Sequence, residues 1–249
     1  SARIALACLD LTSLGEDDTP ATAAALARKA RSELGKPAAL CVYPELIIAT
    51  RMSLMREGIP EVRVATVVNF PEGANDPARA ERETRRALAA GADEIDLVFP
   101  YHAFLEGRAE VARAVVTAVA ARTRGHVPLK LILESAAFPD ADSLRAACEL
   151  GIAAGADFLK TSTGKHPAGG ATEAAVQVLA EAIRAGGGKV GLKVSGGVRT
   201  LADAERFLAI ASALYGAERV VPARFRIGAS ALIDELLGVV AKEPPEDGY

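Results

Sequence analysis

The chain has 249 residues, half of them hydrophobic, with a formal charge of −3 and few aromatics. That balance predicts one compact domain with no linker or like-charge block to divide it, and it argues against a nucleic-acid surface as the main business. The apolar runs are too short to span a bilayer and no secretory signal opens the chain, so a cytoplasmic location and no membrane partner are expected.

Taken in chain order, apolar runs of strand length end near Asp10, Pro44, Pro71, Pro100, Ser135, Thr163, Gly197 and Ser230, spaced by roughly thirty residues. Between them lie Ala- and Leu-rich segments with helical periodicity, clearest over 77–90, 108–123, 172–185 and 201–214. Thr200-Leu201-Ala202-Asp203 reads as a capping box at the start of the last of these. Eight strand–helix repeats in a chain of this length predict a single-domain (β/α)8 barrel over residues 1–241. Residues 242–249 read as a flexible tail, because prolines, acids and a glycine leave them little to pack. A doubly wound open sheet is the alternative, but it calls for a Gly-x-Gly-x-x-Gly turn after the first strand, where the chain has Asp10-Leu11-Thr12-Ser13.

Three charged residues stand where a buried parallel strand should be apolar: Asp96 in EIDLVFP, Lys160 in DFLKTSTGK and Lys193 in GLKVSGG. Ala-Ala-Gly-Ala-Asp occurs at both 89–93 and 153–157, and each of the three charges follows a glycine (Gly91, Gly155, Gly188) by the same interval. A reused strand–helix unit would therefore deliver all three to about the same depth at strand ends, the face where barrel enzymes do chemistry. An ion taken out of water persists only when paired or functional. Internal pairing of Asp96 with Lys160, and of Lys130 with Glu134, is the plain structural reading. One acid against two lysines nevertheless leaves a buried cation over. Lys160 and Lys193 on neighbouring strands would oppose each other's protonation, and a lysine made neutral in this way is a nucleophile toward aldehydes and ketones. Asp96 would serve as acid and base or orient a relay water.

The loops after the sixth, seventh and eighth runs carry Thr161-Ser162-Thr163-Gly164-Lys165, Ser195-Gly196-Gly197-Val198-Arg199 and Gly228-Ala229-Ser230. Glycines, hydroxyls and helix starts clustered in this way suit a phosphate, which barrels often hold beside their last two strands. The stretch ending in Gly164-Lys165 lacks the upstream glycine of a nucleotide P-loop. Cys8, Cys41 and Cys148 form no Cys-x-x-Cys pair, and Cys41 reads as a small buried hydrophobe. His102, His126 and His166 show no metal-ligand spacing, so no metal and no cofactor are expected.

Together LDLTSL, CVYP, TVVNFP, GADEIDLVFPY, GADFLKTSTGK, KVSGGVRT and RIGAS resemble the deoxyribose-phosphate aldolases, class I (Schiff-base) aldolases, from about Leu9 to Leu236. The resemblance implies reversible cleavage of 2-deoxy-D-ribose 5-phosphate to D-glyceraldehyde 3-phosphate and acetaldehyde. It implies that Lys160 is the Schiff-base lysine, Lys193 the lysine that tunes it and Asp96 the proton-transfer carboxylate. It further implies that Gly164, Lys165, Gly196, Gly197, Gly228 and Ser230 bind phosphate and that Asp10 meets a substrate hydroxyl or supports the relay. Ser195 departs from the family's usual Ala, and Glu134-Ser135-Ala136 from a commoner Glu-Thr-Gly; Tyr249 ends a tail composed differently from the mobile tyrosine tail of some members. A phosphosugar isomerase or epimerase, or a catalytically silent sugar-phosphate-binding protein, is the competing reading. The expected partners are sugar-phosphate and aldehyde substrates, and a homodimer is left open because Ala-rich outer helices obscure any extra apolar stripe.

Overall fold

The computed structural model describes residues 1–242; the expectation for the tail, including Tyr249, falls almost wholly outside them. Eight parallel strands close into a barrel in sequential order: β1 (Leu9–Thr12), β2 (Ala39–Val42), β3 (Arg63–Val68), β4 (Glu94–Val98), β5 (Leu129–Ile132), β6 (Phe158–Lys160), β7 (Gly191–Ser195) and β8 (Phe225–Ala229), which pairs back to β1. Helices α1 (Ala2–Ala7), α2 (Pro20–Ala30), α3 (Ile47–Arg56), α4 (Pro77–Ala89), α5 (Tyr101–Leu105), α6 (Ala109–Thr123), α7 (Ala141–Ala154), α8 (Glu173–Ala185), α9 (Leu201–Tyr215) and α10 (Leu232–Val240) surround it. This is the (β/α)8 architecture the repeats predict.

Alternation along each strand divides the molecule into two cores. Outward residues such as Leu40, Ile95, Leu131, Leu159, Leu192 and Ile227 pack against the helices in one large cluster. Inside the barrel a second, small apolar cluster joins Leu14, Ala39, Cys41, Ala65 and Val67 on the β2–β3 side. Charged side chains, with the Phe158 ring beside Arg226, occupy the other side of the interior.

Local chemistry explains the helix boundaries, which match the expected ones within a residue at each end. Asp76, Asp140 and Thr172 accept the backbone N–H three residues ahead of them, and the Thr200–Asp203 capping box forms as expected. The repeated Ala-Ala-Gly-Ala-Asp phrase has a structural use of its own. Gly91 and Gly155 adopt left-handed φ of 95° and 106°, and the aspartate that follows caps the start of the preceding strand: Asp93 accepts from Val64 N at 2.8 Å and Asp157 from Leu129 N at 2.8 Å. The outer helix α3 leaves Ile48, Met52 and Met55 exposed along one face.

Apart from β1, which runs on to Thr12, the strands stop earlier than the apolar runs that announce them. Asn69 and Glu134, each at φ 56°, turn the chain out of the sheet beyond β3 and β5. Lys160 pairs with Lys193, but Asp96 pairs with Lys130, and only Lys160 ends its strand; two further residues of the strand follow Asp96 and Lys193. Barrel strands tilt, so hydrogen-bonded partners are not level with one another, and the Nζ atoms of Lys160 and Lys193 meet at Asp96 Oδ2.

Candidate active site

The inward side chains of β1, β4, β5, β6, β7 and β8 form one buried ion network. Asp96 is its hub: Oδ1 accepts from Lys130 Nζ at 2.7 Å, and Oδ2 accepts from both Lys160 Nζ and Lys193 Nζ at 2.8 Å. Lys193 also donates to Asp10 Oδ2 at 2.5 Å, and Lys130 lies 2.6 Å from Glu94 Oε2. Below them Arg226 donates to Asp10 Oδ1 at 2.6 Å and grips Glu94 through both terminal nitrogens at 2.7 and 2.9 Å. Two glycines make room: a Cβ on Gly228 would lie 3.2 Å from Lys193 Cε, and one on Gly191 only 2.3 Å from the Phe158 ring.

The sequence reading found Asp10, Asp96, Lys160 and Lys193, and the fold brings all four together. It missed Glu94 and Arg226, and it assigned Lys130 to the wrong partner. Glu134 does not reach Lys130; its left-handed backbone sends the carboxylate to the loop after β6, where it accepts from the Thr163 hydroxyl and from Thr163 N at 3.3 Å. A usable signal existed. Glu94 shares the parity of Asp96, and Arg226 that of Gly228, so both had to face inward once the strands were placed.

Partner counting separates lysines that look alike. Burial disfavours the charged form of each, but Asp10 and Asp96 together hold Lys193 well above the ordinary lysine range, and Asp96 and Glu94 raise Lys130. Lys160 touches one carboxylate oxygen, already shared with Lys193. Burial depresses it, Asp96 recovers only part of that, and the Lys193 ammonium lowers it further. Asp96 itself is held well below the carboxylate range, its burial outweighed by Lys130, Lys160 and Lys193. The mutual depression expected of the two lysines is therefore one-sided: Lys193 is raised and only Lys160 is lowered. Cys41 faces the same interior, and burial pushes its thiol up, which keeps it neutral.

Lys160 opens onto a cavity of about 440 Å³ at the C-terminal mouth. Gly164, Lys165, Gly196, Gly197, Gly228 and Ser230, the six expected phosphate residues, line that same cavity, with Thr12, Thr163 and Arg199 beside them. Two loops that form its wall are stitched together: Ser195 Oγ donates to Ser162 O at 2.6 Å, and Ala171 N donates to Ser195 O and Gly196 O at 3.1 and 3.0 Å. Ser195, the departure from the family's Ala, thus ties β7 to the loop after β6. Asp10 has both oxygens taken by cations and no exposure, which suits support of Lys193 better than contact with a hydroxyl. Among the described residues no group of three or more His, Cys, Asp or Glu side chains is disposed to hold a metal ion. Other cavities lie at the opposite end of the barrel, away from Lys160; one of about 500 Å³ is lined by Arg63, Phe158 and Arg226.

A parallel barrel with a buried amine beside a polar cavity at its C-terminal mouth has its side chains where barrel enzymes carry out their chemistry. Residues 4–234 match the model of the DeoC/LacD family aldolases, and the chain belongs to that family. Among similar solved structures is the apo form of a candidate deoxyribose-phosphate aldolase from Toxoplasma gondii ME49, 25% identical, with a TM-score of 0.89 over 98% of this chain and 97% of that one. A candidate deoxyribose-phosphate aldolase from Coccidioides immitis is 29% identical, with a TM-score of 0.80 over 94% and 86% of the two chains. The deoxyribose phosphate aldolase of Aeropyrum pernix, described as tetrameric, shares the fold at 24% identity and a TM-score of 0.78, over 97% and 93%.

Proposed function

We propose that this protein is a class I aldolase that reversibly cleaves 2-deoxy-D-ribose 5-phosphate to D-glyceraldehyde 3-phosphate and acetaldehyde through an imine on Lys160, without a metal or other cofactor, in the cytoplasm. The observation that carries the reading is that, of the three buried lysines, Lys160, the one least held by carboxylates, is the one that faces the cavity. The neutral Nζ attacks C1 of the open-chain sugar, and loss of water from the carbinolamine gives a protonated imine. Removal of the 3-hydroxyl proton then breaks the C2–C3 bond. Its electron pair passes to the iminium to form an enamine, and C3 leaves as the aldehyde of glyceraldehyde 3-phosphate. Protonation at C2 and hydrolysis release acetaldehyde and return the amine. Asp96 Oδ2, in contact with both lysine nitrogens, is suited to carry protons between Lys160 and the Lys193 ammonium.

The phosphate belongs in the glycine- and hydroxyl-lined part of the cavity, where Ser230 leads into the N-terminus of α10 and Lys165 and Arg199 supply charge. A phosphosugar isomerase would use the same loops but has no need of a neutral buried lysine. Incubation with deoxyribose 5-phosphate, borohydride reduction and peptide mass spectrometry test the choice. A substrate-dependent adduct on Lys160 is expected; turnover without any adduct would overturn the imine. Dephosphorylated deoxyribose is expected to be a far poorer substrate, and equal kcat/KM for the two sugars would remove the phosphate site.

A further inference from the structure

We infer that Glu94 and Arg226 are positioning residues: their ion pair, on the barrel floor and away from the cavity, decides that Lys160 rather than Lys130 or Lys193 is the uncharged member of the network. Its catalytic meaning rests on the imine reading of Lys160, but the electrostatic claim does not need a substrate to be tested.

Three carboxylates, Asp10, Glu94 and Asp96, face four bases, Lys130, Lys160, Lys193 and Arg226, all nearly or fully buried. One base has no charge to balance. Arg226 cannot give up a proton, and Lys193 and Lys130 each touch two carboxylates at close range, so Lys160 is left over. Without Arg226 the same carboxylates would balance three lysines, and Lys160 would keep its proton. Without Glu94 the excess of cations would grow. The other charged groups around Lys160 do not alter this order. The neutral thiol of Cys41 adds no charge, Lys165 is exposed at the mouth, and Arg63, bonded to Glu94 at 3.0 Å, has its side chain about half in solvent.

A purely space-filling role fits less well. The β2–β3 side of the same interior is filled by Ala39, Cys41, Ala65 and Val67, which shows that this barrel can be packed with small apolar groups. Buried ions are confined to the side from which Lys160 projects, and an apolar substitute for an ion pair is often no less stable.

The test is competitive labelling with acetic anhydride across pH, followed by peptide mass spectrometry, which reads the pH at which Lys160 becomes an acylable amine. Arg226→Met is expected to raise that midpoint by about one pH unit or more, and Glu94→Gln to lower it. The double variant should return it close to wild type, because the charge count is restored. Arg226→Lys, which keeps the charge, should stay near wild type. The acid limb of kcat/KM should move with the labelling midpoint. A midpoint unmoved in Glu94→Gln, or in a folded Arg226→Met, would overturn the inference; circular dichroism establishes the fold, and Glu94→Gln decides alone if Arg226→Met does not fold. Shifted midpoints in a protein that forms no borohydride adduct would refute the imine reading and leave the electrostatic claim standing.

Discussion

Lys160 and Lys193 are register partners on adjacent strands, chemically identical, and pushed in opposite directions. The difference lies in one oxygen: Lys193 has Asp10 Oδ2 as well as its share of Asp96 Oδ2, and Lys160 has only the share. Lys160→Ala is expected to abolish activity and imine trapping. Lys193→Leu removes the cation that opposes protonation of Lys160 and frees Asp96 Oδ2 for it alone. The pH at which Lys160 becomes nucleophilic should therefore rise, and kcat should fall about a hundredfold or more. A pH–rate profile settles the point: a lower rate with an unmoved acid limb would show Lys193 acting on proton transfer and not on the charge of its neighbour. These residues were legible in the sequence because a lone charge in an apolar run is conspicuous. Glu94 and Arg226 were not, because each stands close to a strand's start, where a charge reads as surface. Lys130 was misassigned because Glu134 lies nearby in sequence, and only the left-handed turn at Glu134 shows that the two diverge.

At the level of elements, the repeat unit was readable from capping residues and apolar runs, and the closed order of strands follows from it. What the sequence could not show was stagger, since register depends on how strands tilt around the barrel and not on local composition. Nor could it show how loops from different repeats meet. Gly170, in the loop after β6, lies against Gly196, in the loop after β7, so closely that a Cβ on Gly170 would fall 2.2 Å from the Gly196 carbonyl oxygen. Both loops wall the cavity on the side assigned to phosphate, while the Lys160 amine lies deeper. Gly170→Ala is thus expected to displace the Gly196–Gly197 backbone and lower kcat/KM for deoxyribose 5-phosphate by roughly ten- to a hundredfold. Trapping of Lys160 by acetaldehyde, which carries no phosphate, should be unchanged. Equal losses in both assays would mean that the distortion reaches β6 and that the loops have no separate role.

Across the whole molecule, the interior network links stability to pH. Burial would raise Asp10, Glu94 and Asp96, yet the surrounding lysines and Arg226 hold all three below the carboxylate range. A group depressed in the fold adds stability that is complete above its unfolded-state pKa, near 4, and is lost as pH falls toward the folded value. Lys130 and Lys193, raised in the fold, add stability that is complete below about pH 10 and is lost above it. Burial also pushes the Cys8 and Cys148 thiols up to about 12, so alkaline pH favours the unfolded thiolates as well. Lys160, depressed in the fold, runs the other way, its cost shrinking as pH rises toward about 10, so the stability profile should fall below roughly pH 5 and again above roughly pH 10. Lys130→Met isolates the acid side, since Lys130 is fully buried and contacts Asp96 and Glu94 directly. Removing one partner of a buried ion pair costs about 3–5 kcal/mol at neutral pH. If charge is the cause, that deficit must shrink as pH falls toward 3, because the wild type loses the carboxylate contribution that the variant already lacks. Denaturant titrations at several pH values would read it directly, and a deficit constant from pH 7 to 3 would assign the loss to packing around the missing side chain instead.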